Sequence, residues 1–464
     1  MIPMTTAQIR DAVQGVLFGD EHTTVTAVST DSRTIPQGAW FVPLTGERFD
    51  GHDYIDMALE KGAAGCFCAR LPEKLREDKA YILVEDTKRA LRDWAAWYRG
   101  QFDIPVVQIT GSMGKTTLKE LLAGVLSQRY RTLKTPGNLN GDIGAPLTLL
   151  SLEPDHQAAV IETGMDEFGQ IRWLGQAVRP DIAIITCISD VHLSHFGSRE
   201  DILKAKAEIF ENLRPGGLAV LNGDDELLNT LRLDCETAYA GFGGFPDVRY
   251  DAQVEHFDGF NGLESLRCTV KTKKDLYPLE IPSPASHMAA LAATAILVAE
   301  RLGLTREEII RGIESYAPAD NRLRVERLPG GRMMINDSYN ANPQSVQADL
   351  RILSRHTGGK RIALLGDMTE LGSAEGPGHT SVGRTVGRWG IDVLLAVGPR
   401  SKEYMVPAAR ENGCPDVRWY PDRESVKEDL LALFAPGDAV LLKASHFFGR
   451  FDLMADYLRG YPFQ

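Results

Sequence analysis

The amino-acid sequence predicts an α/β protein made of three domains. The chain has 464 residues, more than one compact core holds when a domain takes roughly 100 to 200 residues. From Ile104, short apolar runs alternate with helical patterns, as expected of a parallel sheet with helices on both faces. The same alternation begins again after the segment "APADNRLRVERLPGG". We therefore predict domain boundaries near residues 101 and 319.

The amino-terminal domain, residues 1–100, is predicted to be a small α/β unit. Its strand-like runs "TVTAVST", "AWFVPL", "GCFCA" and "YILVED" are mixed with a helical pattern, "HDYIDMALEKG", that ends at a glycine. A glycine just past the last helical residue is a common helix terminator.

The other two domains are each predicted to contain a parallel sheet. Residues 101–318 place the apolar runs "IPVVQI", "AAVIE", "DIAIITCI" and "LAVLN" between helical patterns. Residues 319–464 do the same with "RMMIND", "RIALLGD", "DVLLAVG" and "DAVLLKAS". The carboxy-terminal domain is therefore predicted to be Rossmann-like and doubly wound.

Composition and charge exclude several classes of protein. A formal net charge of -12 argues against nucleic acid as a partner. Six cysteines without a C-x-x-C pair predict reduced thiols in the cytoplasm. The start lacks a signal-peptide pattern, and the apolar run from Met288 is far shorter than the roughly 20 residues that span a bilayer. We expect a cytoplasmic monomer without stable membrane insertion.

The segment "VVQITGSMGKTTLKE", residues 106–120, predicts a phosphate-binding loop between a strand and a helix. Its glycines, Gly111 and Gly114, allow backbone N–H groups to approach phosphate, and the helix N-terminus favours an anion. Lys115 is then expected to reach the β and γ phosphates, and Thr116 to bind Mg²⁺. The standard spacing G-x-x-x-x-G-K-[ST] would need a glycine at Ile109.

Lys206 is unusual because it lies on an apolar helix face. In "SREDILKAKAEIFENL", Ser198 can cap the helix and Asp201 stands in the capping-box position. At about 100° per residue, Lys206 falls near the middle of the face that packs. Burial disfavours an ammonium ion. Lys206 either reaches out to solvent or a carboxylate, or is a neutral amine that takes up CO₂ to form an anionic carbamate.

Two further candidates for metal binding follow predicted strands. Glu162 ends "AAVIE", and His192 follows "DIAIITCI". The carboxyl ends of neighbouring parallel strands converge on one crevice, the one that would hold the phosphate loop. Each residue alone is a weak indication, since a lone histidine in a loop is more often structural than a ligand.

Taken together, these motifs resemble the Mur ligase family over essentially the whole chain. The resemblance is carried by "TGSMGKTTLKE", "KTPGNLNGDIGAPLTLL", the Glu162 strand, "HLSHFGSREDILKAKAEIF", "INDSYNANPQS" and "LLGDMTELG". The segments "STDSRTIPQGAWFVPLTGERFDGHDYI" and "DSYNANP" favour the branch that joins D-alanyl-D-alanine to UDP-N-acetylmuramoyl-tripeptide in peptidoglycan synthesis. In this family the loop has the form TGxxGKT, so Ile109 is no defect.

The resemblance also implies cofactors and site residues. It implies ATP, two Mg²⁺ ions and a lysine carbamate. One ion is expected on Thr116 and Glu162, the second on His192, and the carbamate on Lys206; Lys115, His192 and Lys206 are the expected catalytic residues. The implied ATP-binding residues are Gly111, Ser112, Met113, Gly114, Lys115, Thr116, Thr117, His287, Arg322, Asp337, Tyr339 and Asn340. The implied substrate-binding residues are Ser32, Arg33, Arg48, Asp50, Asn138, Asn140 and Thr163.

Some of these residues have ordinary structural explanations. Asp337 can accept bonds from ribose hydroxyls, or it can cap the helix that begins near Pro343. Asn138 and Asn140 could be turn formers, and an isolated arginine is usually a solvated surface residue. Met288 and Leu291 stand where many family members have polar residues near the adenine.

The predicted chemistry is ATP-driven amide formation through an acyl phosphate. Within the ligase class, the rivals are a neighbouring Mur ligase that adds a diamino acid and an enzyme like folylpolyglutamate synthetase. From other classes, the rivals are a P-loop ATPase switch and an inactive ligase-like binding protein. Retention of Lys115, Glu162, His192 and Lys206 argues against loss of activity.

Overall fold

Three separate β-sheets organise the chain in the computed structural model, which describes residues 1–46, 49–189, 196–445 and 449–463. The sheets use residues 16–83, 106–281 and 324–443, in chain order. Each sheet falls within one of the three ranges proposed as domains. In the described part of the chain, no helix has the length and apolar character needed to cross a membrane.

The first sheet has five strands in the order β2-β7-β6-β5-β4, with β2 antiparallel at one edge. A two-stranded ribbon, β1 with β3, lies beside it. The strands are β1 Met4–Thr5, β2 Val16–Phe18, β3 Thr24–Val25, β4 Ala27–Ser29, β5 Ala39–Phe41, β6 Gly65–Cys68 and β7 Ala80–Leu83. The helices are α1 Thr6–Val13, α2 Ile55–Glu60 and α3 Thr87–Arg99.

The second sheet has nine strands in the order β16-β15-β14-β13-β12-β11-β8-β10-β9. These are β8 Val106–Thr110, β9 Thr132–Lys134, β10 Ala158–Glu162, β11 Ile182–Ile185, β12 Leu218–Asn222, β13 Glu236–Gly241, β14 Ala252–Asn261, β15 Ser265–Thr272 and β16 Leu276–Ile281. Its helices are α4 Lys115–Leu126, α5 Gly144–Leu150, α6 Gln170–Val178, α7 Arg199–Ala207, α8 His287–Arg301 and α9 Arg306–Glu314.

The predicted parallel sheet is present from β8 to β13, and the sequence patterns missed an extension beyond it. Strand β14 pairs parallel with β13 and then forms antiparallel pairs through β15 to β16. The edge strand β16 alternates exposed and buried residues along its length. Pro278 interrupts its pattern, and an edge strand tolerates a proline because one side of it needs no ladder hydrogen bond.

The third sheet has six strands in the order β17-β18-β22-β19-β20-β21, parallel except for the edge strand β17. Its strands are β17 Arg324–Leu328, β18 Arg332–Asn336, β19 Arg361–Gly366, β20 Val393–Val397, β21 Asp416–Tyr420 and β22 Ala439–Lys443. Its helices are α10 Pro343–Leu353, α11 Glu375–Arg388, α12 Val406–Glu411, α13 Lys427–Leu433 and α14 Phe451–Gly460. This is the predicted doubly wound arrangement.

Burial on both faces explains why the inner strands read as continuous apolar runs. Every residue of β8, β10 and β11 is buried, as expected when helices cover both sides of a parallel sheet. The carboxyl ends of these three neighbouring strands therefore lie side by side at one edge of the central sheet, and the polar residues that follow them are gathered there.

Candidate functional site

The loop after β8 has the backbone geometry of a phosphate cradle. Gly111 has φ +146°, and a Cβ atom there would lie 1.9 Å from Thr186 Oγ1. Gly114 is the N-cap of α4 with φ 79° and no side-chain cap bond. The first N–H groups of α4 therefore have no side-chain cap from this position, and the helix dipole favours an anion at this end.

The loop is braced against the neighbouring strand β11. Thr186 Oγ1 donates to Met113 O at 2.5 Å. Ser112 N donates to Cys187 O at 2.9 Å, and Ser189 N donates to Ser112 Oγ at 3.0 Å. These bonds hold the loop in its shape without using the N–H groups at the start of α4.

Lys115 lies inside this loop, where the sequence places a phosphate-binding lysine. Its Nζ donates to Gly111 O at 2.7 Å. The pKa of the Lys115 ammonium is lowered, first by desolvation and then by Arg322, while Glu162 opposes the shift. Thr117 is half-buried one turn into the same helix. Within the described part of the chain, no carboxylate is bound directly to Lys115 Nζ, so this amine is positioned to meet an anionic ligand.

Glu162, Thr116 and Asn140 form a buried oxygen-rich cluster next to the loop. Thr116 Oγ1 donates to Glu162 Oε1 at 3.1 Å, and Asn140 Nδ2 donates to the same oxygen at 2.8 Å. Glu162 is 1% exposed, and within the described residues its Oε2 is a buried atom with no hydrogen-bond partner. A carboxylate oxygen left free beside a hydroxyl suits Mg²⁺, which prefers oxygen ligands. The donor set therefore fits a divalent cation.

The adjacent polar residues are held by the same strands. Gln108 Nε2 donates to Thr163 Oγ1 at 3.1 Å. Thr163, which directly follows Glu162, is fully buried. Asn138 is exposed in the preceding loop, and its main-chain oxygen accepts from Asn140 N at 2.8 Å. Of the two asparagines, only Asn140 reaches the carboxylate of Glu162.

Lys206 is buried, as the helix pattern predicts. Its exposed fraction is 2%, and no acidic side chain of the described residues forms an ion pair with its Nζ. Burial and the nearby Lys115 lower the pKa of Lys206 well below its ordinary value, and Cys187 and Asp166 oppose this shift. Its burial contradicts the solvent-reaching alternative, and the direction of the pKa shift favours a neutral amine among the described residues.

The helix carrying Lys206 begins as predicted and ends earlier than expected. Ser198 is its N-cap and accepts from Asp201 N at 3.1 Å. At Glu208 the helix tightens into a 3₁₀ segment, Glu208–Asn212. Glu208, the first residue of that segment, is buried, whereas the α-helical period alone would place it away from the apolar face. Its carboxylate accepts from Gly169 N at 2.8 Å and Arg172 N at 3.2 Å, at the start of α6.

On the carboxy-terminal side, Asp337 directly follows β18 and belongs to a buried charged cluster. Lys443 bonds both Asp337 and Asp349, the latter at 2.8 Å. Leu323 N donates to Asp337 Oδ1 at 3.0 Å. Asn342, not Asp337, caps the helix that begins at Pro343, so that explanation of Asp337 is wrong. Its oxygens keep further acceptor capacity for hydroxyl donors.

The two carboxyl groups of the buried cluster have pKa values shifted in opposite directions. Burial and the neighbouring Asp337 raise the pKa of Asp349 well above its usual range, whereas Lys443 holds the pKa of Asp337 down against burial. The pKa of Lys443 is raised by both carboxylates. Asp337 is thus the ionised partner of Lys443. The sequence gives no local sign of this cluster, because Lys443 and Asp349 are more than 90 residues apart in the chain.

The segment linking the second and third sheets carries Arg322 into the crevice. Asn321 and Leu323 both have positive φ, 60° and 45°, a strained region for residues other than glycine. Tyr339 N binds Asn321 O at 3.1 Å, and the Arg322 guanidinium lies 3.6 Å from the centre of the Tyr339 ring. Asn340 is exposed next to it. Stacking on the Tyr339 ring therefore holds the Arg322 guanidinium close enough to Lys115 to lower the pKa of that lysine.

Two residues of α8 are expected near the nucleotide, and only one of them, His287, is polar; the other is Leu291. His287 is the first residue of α8 and is exposed. It lines a cavity of about 260 Å³ with Gln347, Arg351 and Trp389 from the third-sheet region. Leu291 Cδ2 comes within 3.7 Å of the Cβ position of Gly114, so it packs on the phosphate loop and provides an apolar surface there.

In the amino-terminal domain, Arg33 and Asp50, two of the residues expected to bind the UDP moiety, are each paired with another residue of the protein. The Arg33 guanidinium bonds both oxygens of Asp31 at 2.9 Å and lowers the pKa of Asp31 to about 2. Asp50 accepts from His52 Nδ1 at 2.7 Å and from Arg70 at 2.8 Å. Ser32 is 7% exposed. Arg48 and His192 lie outside the described residues.

Three family models match this chain, one for each sheet. They are described as "Mur ligase family, catalytic domain" over residues 24–99, "Mur ligase middle domain" over 109–299, and "Mur ligase, glutamate ligase domain" over 321–446. Together they cover the greater part of the three regions described above.

Among curated proteins, the chain is similar to UDP-N-acetylmuramoyl-tripeptide--D-alanyl-D-alanine ligases. It is 34% identical to that of Bacillus subtilis over 96% of both chains. It is 36% identical to that of Escherichia coli over 86% of this chain and 87% of the other.

Among solved structures, the chain is similar to MurF from Acinetobacter baumannii. The TM-score is 0.89 at 30% identity, over 98% of this chain and 99% of that one. MurF ligase from Thermotoga maritima in complex with ADP matches with a TM-score of 0.81 at 27% identity, over 94% and 97%. A folylpolyglutamate synthase from Mycobacterium tuberculosis shares the fold, at 17% identity and a TM-score of 0.60.

Proposed function

The chain belongs to the Mur ligase family, and from this we propose that it joins D-alanyl-D-alanine to UDP-N-acetylmuramoyl-tripeptide in an ATP-dependent, ADP-forming reaction. The names of the relatives over nearly the whole chain support the substrates. One structural observation carries the proposal: Lys115 in the phosphate loop lies close to both the Glu162 carboxylate and the buried Lys206. This site makes a peptidoglycan precursor.

The reaction has two steps, and its atoms balance. A carboxylate oxygen of the tripeptide attacks the γ phosphorus of ATP, the bond to the β-γ bridging oxygen breaks, and ADP leaves. The amine of D-alanyl-D-alanine then attacks the acyl carbon, an amide bond forms, and the bond to the phosphate oxygen breaks. Phosphate is released, and the amine gives a proton to solvent.

The protein's own groups act on the charge that moves in the first step. The free amides at the start of α4 and the Lys115 ammonium face the phosphate chain, and Arg322, positioned by Tyr339, adds a second cation. Fixed donors of this kind stabilise a phosphoryl group in transfer without reorganising. Asn138, Asn140 and Thr163 are proposed to contact the UDP-linked substrate next to Glu162.

Two Mg²⁺ ions and a carbamate on Lys206 complete the proposed site. Thr116 and Glu162 would hold one ion and His192 the second, and the ions would neutralise phosphate charge when bound. The Lys206 amine would attack the carbon of CO₂, forming an N–C bond and losing a proton to solvent. Its burial, its lowered pKa and the absence of an ion pair within the described residues support this modification.

The nucleotide and substrate contacts inferred from the family belong to the same proposal. Asp337, Tyr339, Asn340 and His287 would surround the nucleotide, with Leu291 as its apolar neighbour. Ser32, Arg33, Arg48 and Asp50 would bind the UDP moiety. Arg33 and Asp50 would exchange their present partners for ligand atoms, because both are paired within the protein.

Cellular location and assembly are also proposed. Six free cysteines and the net charge of -12 support a reducing cytoplasm without nucleic acid as a partner. We take the working unit to be a monomer.

Phosphate release tests the function directly. We expect ATP consumption only when both a UDP-muramoyl-tripeptide and D-alanyl-D-alanine are present, measured across a panel of UDP-muramoyl peptides and candidate amines. Dependence on a UDP-dipeptide and a diamino acid would indicate a neighbouring Mur ligase instead. Hydrolysis that is indifferent to both substrates would indicate an ATPase switch and contradict the proposal.

A further inference from the structure

Lys119 is a second buried lysine beside the site, and neither the phosphate loop nor the metal cluster includes it. It lies one turn beyond Lys115 on α4, and its side chain is 0% exposed. A buried ammonium is stable only if it is well paired and hydrogen-bonded. The partners of Lys119 therefore indicate what its burial accomplishes.

Those partners lie in the loop that carries Asn138 and Asn140. Lys119 Nζ donates to Thr135 O at 2.8 Å and to Gly137 O at 2.9 Å. It also lies 3.0 Å from Glu120 Oε1 and 3.8 Å from Glu162 Oε2. One ammonium thus contacts the main chain of the asparagine loop and faces the second oxygen of the carboxylate that Asn140 binds.

The rest of the loop is tied at its far end. Gly164 N donates to Asn140 O at 2.9 Å, and a Cβ atom at Gly144 would lie 2.5 Å from Leu139 O. Between these ties and Thr135, residues 136–138 are exposed, and Gly137 has φ +50° and no atom within 4 Å of its Cβ position. Thr135 itself is tied to β10, because Thr135 N donates to Val160 O at 3.1 Å and Glu162 N donates to Thr135 Oγ1 at 2.9 Å. The bond from Lys119 to Gly137 O is the contact that extends this near-end anchor into the exposed residues.

We propose that Lys119 is a positioning residue that anchors the 135–140 loop and so presents Asn138 and Asn140 to the UDP-linked substrate. The inference rests on the proposed function for the identity of that substrate. The anchoring step itself is a property of the free protein. Lys119 therefore acts through the loop and does not touch a reacting atom.

The test compares Lys119→Met, which keeps a long side chain without charge, with Lys119→Arg and with Lys134→Met as a matched control. Lys134 pairs with the same Glu120 from an exposed position on β9. We expect amide hydrogen exchange of the non-proline residues within 136–141 to accelerate about tenfold in ligand-free Lys119→Met, since hydrogen bonds to a charged donor are lost. Lys119→Arg is expected to show a smaller acceleration, and Lys134→Met none.

Kinetics supply the second readout. In Lys119→Met we expect the KM for the UDP-tripeptide to rise about tenfold while the KM for ATP stays within twofold, because the phosphate loop keeps Lys115. Faster exchange throughout the central domain, or an equal rise in both KM values, would assign Lys119 to general stability and overturn the proposal. Unchanged exchange at 136–141 would overturn it as well.

Failure of the Lys119→Met variant to fold would also decide whether Lys119 anchors the loop. If Lys119→Met is unfolded and Lys119→Arg has wild-type exchange at 136–141, the lysine contributes only stability and the anchoring role is wrong. Failure of the wild-type protein to ligate D-alanyl-D-alanine would refute the proposed function and leave the exchange result, measured without ligand, to decide the anchor.

Discussion

At the scale of single residues, two of the buried lysines, Lys119 and Lys206, show how surroundings decide the chemistry of one side chain. Lys119 has two main-chain acceptors and two carboxylates around it. Lys206 has no ion-pair partner in the described ranges and lies near another cation, Lys115. The first environment supports an ammonium ion, and the second favours a neutral, nucleophilic amine.

Replacing Lys206 tests the neutral-amine role. We expect Lys206→Ala to reduce ligation by about a hundredfold or more, as for loss of a group that orients a metal site, and added short carboxylic acids to restore part of it. Lys204→Ala is the control, since Lys204 is 71% exposed on the same helix. Full activity of Lys206→Ala, measured as ADP formation, would exclude the carbamate.

Several site residues could be predicted from the sequence because their signal is local. The loop glycines, Lys115 and Thr116 follow from a short motif between a strand and a helix, and Lys206 follows from the period of one helix. Lys443 and Asp349 could not be predicted, because their pairing joins distant segments. Lys119 could have been noticed by the same helix-face argument as Lys206, since it lies among the buried residues of α4.

At the scale of secondary structure, helix ends do much of the positioning. The start of α4, where the phosphate site is proposed, has no side-chain cap at Gly114, whereas Glu208 from another helix caps the start of α6. The Glu208 carboxylate is buried where the α-helix changes to 3₁₀ winding, and it accepts from Gly169 N and Arg172 N. The sequence predicts the helix but not this local tightening, which depends on the packing partner and not on the apolar period.

Glu208 and Glu211 offer a matched comparison for this capping. We expect Glu208→Ala to lower the free energy of unfolding by about 1–3 kcal/mol, because two N–H groups at the start of α6 lose a charged acceptor. Glu211→Ala removes an exposed ion pair with Arg172 and should cost less than about 1 kcal/mol after solvent screening. Urea denaturation measures both, and equal losses would contradict the capping role.

At the scale of the whole molecule, the site is assembled from separate sheets. The central sheet supplies Lys115, Glu162 and Lys206, and the segment before the third sheet supplies Arg322. The fold class could be predicted because strand and helix periods are local. The antiparallel extension through β14–β16 could not, because two register shifts interrupt the alternation of β14 and Pro278 argues against a strand at β16.

Tyr339 tests the contribution of the third domain to the first step. Because its ring face holds Arg322, we expect Tyr339→Leu to lower the ligation rate about tenfold, in line with a cation–π contact of ~1–2 kcal/mol. Tyr339→Phe retains a ring face and is expected to lose less. Steady-state rates at saturating ATP measure the difference, and equal losses in the two variants would show that stacking is not what matters.

The three large sheets are each built from one continuous stretch of the chain, and this affects how the protein can fold during synthesis. Each sheet takes all its strands from one uninterrupted stretch, 16–83, 106–281 or 324–443. No sheet has to wait for a strand that is synthesised after the next sheet has begun. The domains can therefore fold in turn as they leave the ribosome, and the crevice with Arg322 is completed last.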